Sequence, residues 1–135
     1  VARYEHLPIY KASLDVTLHF ERVVAGFSRY HKYTLGTELR ALSREVVGLI
    51  VKANSSRDKA PGLLLVRERL ESLLLSLRIA KEVKAFRSFE SYHHAAELVV
   101  SVCRQNEGWI RSLSGEGKKE RRGQNPAGDA RSERA

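Results

Sequence analysis

Three segments of this chain repeat apolar residues in alternating steps of four and three, and that spacing constrains the fold more than any other feature. Leu35, Leu39, Leu42, Val46, Leu49 and Ala53 form the first series. Leu63, Val66, Leu70, Leu73, Leu77 and Ala80 form the second, and Tyr92, Ala95, Val99, Val102, Asn106, Trp109 and Leu113 the third. A helix turns about 100° per residue, so each series lines one stripe, the seam along which bundled helices meet. A fourth helix, from about Leu7 to Phe27, is broader. Tyr10, Leu14 and Val24 fall on one side of it and Val16, Phe20, Val23 and Phe27 on another. No strand pattern competes.

The breaks between helices are short. They fall at Gly26 to Tyr33, at the cluster Ser55 to Gly62 that contains Pro61, and more weakly at Arg87-Ser88. Thr34 is placed to cap the second helix. Short connections make successive helices antiparallel, so the expected fold is all-α, an up-down-up-down four-helix bundle over residues 1–113. From Ser114 to Ala135 glycine, proline and charge replace large apolar side chains. That composition predicts a disordered polar tail over 114–135. A chain of 135 residues is long enough for one core without disulfides or metal.

The third helix carries more apolar surface than one core needs. Leu65, Leu75, Ile79, Val83 and Phe86 cluster opposite its seam. Either this helix is central in its own bundle, or the second stripe docks on another subunit, which makes Leu75, Ile79, Val83 and Phe86 the candidate oligomer interface. On the second helix, Val47 and Val51 share an outward side with Arg40 and Arg44.

Charge points to a polyanionic partner. The net charge is +8, and residues 1–113 hold 18 basic against 12 acidic side chains, so most of the excess lies on the folded body. One basic group is Arg29, His31 and Lys32, interleaved with Tyr30 and Tyr33; the other is Arg78, Lys81, Lys84 and Arg87. An antiparallel bundle brings both to the same end. Phosphate contact, with aromatics available to stack on bases, is the functional reading. Dipole stabilisation near a helix C-terminus and plain solvation are the competing ones. Lys84 extends the core seam of its helix, with a stem long enough to snorkel from it. The candidate binding residues are Arg29, Lys32, Arg40, Arg44, Lys81, Lys84 and Arg87.

Catalytic constellations are missing. Glu90 and His93 make one Glu-x-x-His, whereas a di-iron bundle needs that pair on two helices and two further inward Glu. His93 and His94 read as ordinary polar residues and Cys103 as core. Gly115-Glu-Gly-Lys-Lys lacks Walker spacing and follows no strand. No enzyme activity, metal or cofactor is therefore expected. Asn106, on a seam, reads as a buried amide that sets register or as part of a frayed end. A lone cysteine, no secretory leader and no apolar run near the roughly 20 residues of a membrane span give a cytoplasmic expectation.

Three short motifs carry a resemblance: Lys32-Tyr33-Thr34-Leu35-Gly36 opening a helix, Arg78-Ile79-Ala80-Lys81-Glu82-Val83-Lys84 closing the third, and Gly108-Trp109-Ile110-Arg111 closing the fourth. Their order over residues 7–113 resembles the accessory variability determinant (Avd) proteins of diversity-generating retroelements, within the wider group of four-helix proteins that includes those encoded by 23S rRNA intervening sequences. The resemblance implies a homopentameric barrel of basic four-helix subunits. It also implies association with a reverse transcriptase and with RNA or DNA, and a non-catalytic role in mutagenic, template-primed cDNA synthesis. The alternative is an rRNA-intervening-sequence-type bundle that binds RNA without a reverse transcriptase. A metal-binding or oxidative bundle enzyme is the third and weakest reading.

Overall fold

The structure, a computed structural model, describes residues 4–124, with side chains as far as Gly115. A 3-10 turn at Tyr4–His6 leads into α1 (Pro8–Val24), the one-turn α2 (Arg29–Lys32), α3 (Leu35–Ser55), α4 (Ala60–Glu82) and α5 (Phe89–Gln124). No strand occurs among the described residues. The four long helices form an all-α bundle in which α1 and α4 each pack against both α3 and α5.

Cross-helix partners set the directions. Glu21, late in α1, meets Arg40 and Arg44, early in α3. Ser76, late in α4, donates to Glu38, early in α3. Asn106 of α5 reaches the Leu63 carbonyl in the first turn of α4. Each long helix thus runs antiparallel to the one before it. One end of the bundle gathers α2, the ends of α1 and α4, and the starts of α3 and α5. We call it the α2 end.

The seams of α4 and α5 are buried largely as their spacing requires. Leu63, Val66, Leu73, Leu77, Val99 and Val102 are each 1% exposed or less, and burial of such a side chain is worth about 1.5–3 kcal/mol. On α1 the two apolar sides resolve into one buried face, Ile9, Ser13, Val16, Phe20 and Val24. Phe27 is buried in the turn beyond the helix. The face of α3 is rotated from expectation: Gly36, Leu39, Ser43, Val46, Ile50 and Ala53 are buried, while Leu35, Leu42 and Leu49 are only partly so.

Small residues explain the rotation. A Cβ on Gly36 would lie 2.5 Å from Cγ1 of Val24, so the start of α3 approaches α1 more closely than any side chain at that position allows. Ser13 and Ser43 occupy buried positions at no hydrogen-bond cost, because each hydroxyl donates to the carbonyl three residues earlier, in Tyr10 and Arg40. Apolar periodicity follows the large residues and misses positions where smallness is what packing needs.

Asn106 lies in the interior, not at a frayed end. It is 0% exposed, and its Nδ2 donates to the Leu63 carbonyl at 3.0 Å. Its Oδ1 has no partner, and an orphaned buried acceptor costs about 1–3 kcal/mol. An amide that bonds at one register and leaves an oxygen bare is consistent with a role in alignment.

Helix ends depart from the sequence expectations in three places. Thr34 stands at the N-cap of α3 but its hydroxyl donates backwards to the Tyr30 carbonyl at 2.9 Å, tying α3 to α2 instead of capping. α4 stops at Glu82, because Ala85 N–H bonds the Ala80 carbonyl and Lys84 N–H the Lys81 carbonyl, a Schellman closure. α5 begins with Ser88 Oγ accepting the Ser91 N–H and runs to Gln124, past Leu113, where it was expected to close. The proposed tail thus falls partly in a helix. Its Glu, Lys and Arg residues have good helix propensity, which a composition rule for disorder does not register. Residues 125–135 of that tail lie outside the described residues.

The Schellman closure displaces two expectations. Phe86, assigned to the outward stripe by extending helical geometry past Glu82, turns inward. It is 8% exposed and packs edge-on against Phe27 and Tyr92. Lys84 leaves the seam entirely: it is exposed, with φ 60° in the left-handed region where glycine is normal. A side chain in that conformation costs roughly 1–2 kcal/mol. Lys84→Gly should therefore stabilise the bundle by about 1 kcal/mol, read as a higher midpoint in urea unfolding. An unchanged or lowered midpoint would show that the lysine side chain contributes more than its backbone costs.

Candidate nucleic-acid interface

The two basic groups meet at the α2 end. Phe27, just after α1, stacks edge-on on Phe86, just after α4, at 5.1 Å between centroids. That aromatic contact holds the α1–α2 and α4–α5 connections together. Beside it, a Cβ on Gly26 would lie 2.9 Å from Nε of Arg87; the bare backbone leaves the room in which this arginine crosses the end of α1, and a larger residue would push its guanidinium aside. Arg29, Lys84 and Arg87 are exposed and Lys32 is half-buried. Among the described residues none of these four is paired with a carboxylate. Tyr30 within α2 and Tyr33 at its C-cap are 75% and 69% exposed, open faces on which bases could stack.

The remaining candidates are partly neutralised. Glu21 holds Arg40 at 3.0 Å and Arg44 at 2.8 Å. These two hydrogen-bonded guanidinium groups, Arg40 foremost, outweigh desolvation and keep its carboxyl below the ordinary range. The pair thus joins α3 to α1. Lys81 lies 3.8 Å from Glu82 and over the rings of Tyr92 and Phe89, at 5.4 and 5.9 Å, a cation–π setting. Arg78 shares Glu82 at 3.5 Å.

Along α4 and at its C-cap, away from the core, Leu75, Ile79 and Val83 are 62%, 43% and 44% exposed. Leu64 joins them at 47%, while Leu65 is half-buried. The stripe opposite the seam is thus real in this chain, without Phe86.

Three residues that the sequence had not marked as binding candidates, one of them His94, read above as an ordinary polar residue, join the α2 end. His19 and Arg22 of α1 and His94 of α5 line a cleft with Arg87. His94 is distant in sequence from the other two, so only the α1–α5 packing reveals the group. Burial, then the neighbouring His94 and Arg22, hold the His19 imidazole below its ordinary 6.5. The fold therefore disfavours protonation of His19. This residue costs stability as pH falls through 6.5, where the unfolded chain takes up the proton first.

His93 pairs with Glu97 one turn on, not with Glu90. Cys103 is half-buried, its thiol pushed up by burial and then by Glu107. Among the described residues no three His, Cys, Asp or Glu side chains gather to hold a metal ion, and no helix is long and apolar enough to cross a membrane. Comparison with protein-family models finds no match, and no curated protein matches the chain.

Proposed function

We propose that this protein is a non-catalytic, self-associating accessory protein of a diversity-generating retroelement, one that holds a reverse transcriptase and its template RNA or DNA together during mutagenic cDNA synthesis. The observation that carries the binding half is the α2 end, where Arg29, Lys32, Lys84 and Arg87 collect without carboxylate partners among the described residues. Unneutralised cations crowded at one end attract a polyanion and release its counterions. The uncovered stripe of Leu64, Leu75, Ile79 and Val83 on α4 supports self-association. An oligomer would repeat each cationic end and raise its effective concentration. The retroelement, the polymerase and the pentameric state rest on the resemblance to the Avd family.

The test is a pull-down of a diversity-generating retroelement's reverse transcriptase and its template RNA with the full chain, repeated with Arg29→Glu/Lys32→Glu and with Lys81→Glu/Lys84→Glu. Retention by the parent protein and loss in folded, charge-reversed variants is the expected result. Unchanged capture by those variants would remove the α2 end from the mechanism. Capture of RNA with no polymerase would favour the rRNA-intervening-sequence type of bundle.

A further inference from the structure

We propose that the cleft between α1 and α5 binds a phosphomonoester dianion, either free phosphate or the terminal phosphate of a nucleic-acid strand. This inference stands on the cleft itself and does not depend on the retroelement reading. The cleft, of about 630 Å³, is lined by His19, Arg22, Gly26, Arg87, Ser91 and His94, with small apolar residues between them. Among the described residues no carboxylate lines it.

Three features suit it to phosphate. First, the polar groups are donors on three separate pieces of chain: Arg22 and His19 on α1, Arg87 after α4, Ser91 and His94 on α5. Two guanidinium forks match the charge of a dianion, and their planar geometry matches its oxygens. Second, Nε2 of His19 is buried without a partner, with the His94 ring edge-on at 4.8 Å. Buried polar atoms are nearly always bonded, and a small rotation of the ring toward the cleft would bring this nitrogen, now closed off from solvent, to a ligand oxygen. Third, Gly26 leaves the space that Arg87 occupies. A phosphate between these groups would also relieve the repulsion that His19 feels from Arg22 and His94. A monoester suits the site better than an internal phosphodiester, which carries one charge and must continue in both directions.

Histidine-resolved NMR of the full chain tests this. Titration with inorganic phosphate should move the His19 and His94 signals together and raise the pH at which His19 protonates. Arg22→Gln and Arg87→Gln should each weaken the effect about tenfold, the loss of one charged hydrogen-bonding partner. Gly26→Ala keeps every charge but displaces Arg87, so it should weaken phosphate binding as a merely electrostatic surface would not. Should that variant fail to fold, the exposed Arg22→Gln still decides.

RNA oligonucleotides with a 5′-phosphate or a 5′-hydroxyl distinguish the sources. A phosphate-dependent preference that Arg87→Gln abolishes identifies a strand end. Equal oligonucleotide binding alongside histidine shifts with inorganic phosphate identifies the free ion. Histidine signals indifferent to millimolar phosphate, or responding equally in wild type and Arg87→Gln, would overturn the site. Neither result bears on whether a reverse transcriptase is captured.

Discussion

Phe86→Asp should unfold much of the α2 end, whereas Ile79→Asp should leave the helices intact and dissociate the protein into single bundles. Both residues belong to one outward stripe if helical geometry is carried through residue 86. The Schellman turn at Val83–Ala85 separates them. Phe86 is buried against Phe27 and Tyr92. Removing an aromatic side chain from such a site costs about 3–5 kcal/mol even before a carboxylate is left among rings. Set against a total stability of about 5–15 kcal/mol, that loss should show as a large fall in the unfolding midpoint by circular dichroism. Ile79 is 43% exposed beside Leu75 and Val83. A charge there meets water in the monomer and apolar surface only in an assembly, so light scattering should show loss of mass with helicity retained. A parent protein that is monomeric at micromolar concentration would end the case for self-association. Equal loss of helicity in the two variants would refute the inside–outside distinction.

The contrast shows which parts of the molecule its sequence makes legible. The seams of α4 and α5 could be read because large apolar residues both mark the period and fill the core. α3 was less legible. Its buried face includes Gly36 and Ser43, and a hydropathy pattern assigns no inward role to a glycine whose value is the close approach of Val24. The break near Arg87-Ser88 was visible, yet the helix before it ends at Glu82. The reason is a lysine in left-handed conformation, at a position where glycine would have announced the stop. That the two basic groups share an end followed from connectivity alone. Which charges are already engaged did not. Arg40 and Arg44 converge on Glu21 across two helices, and the cleft joins His19 and Arg22 of α1 to His94 of α5, which no period along the chain links to them.

Those engaged charges lead to the second large effect, the response of nucleic-acid binding to salt. Each phosphate neutralised contributes about 0.9 to the slope of log affinity against log salt. A protomer that uses Arg29, Lys32, Lys84 and Arg87 should therefore lose roughly a hundredfold in affinity for DNA between about 50 and about 200 mM salt, and an oligomer more. Reversing Arg29 and Lys32 should flatten that slope by about two units, since two contacts disappear with no internal partner to compensate. Arg40→Glu with Arg44→Glu should act differently. Both arginines are held by Glu21, so phosphate binding must first break or share those bonds, and little counterion release is available from them. Their reversal leaves three carboxylates where α1 meets α3, and the effect should fall on stability more than on the salt slope. Fluorescence anisotropy with a duplex of arbitrary sequence, at several salt concentrations, separates the two cases. Binding should be nearly independent of sequence, because contacts to phosphate carry no information about the bases. Equal flattening in both double variants would mean that Glu21 does not restrain its arginines. A slope near zero in the parent protein would mean that the α2 end, for all its charge, does not meet phosphate, and the basic excess would then have to act on an acidic protein surface instead.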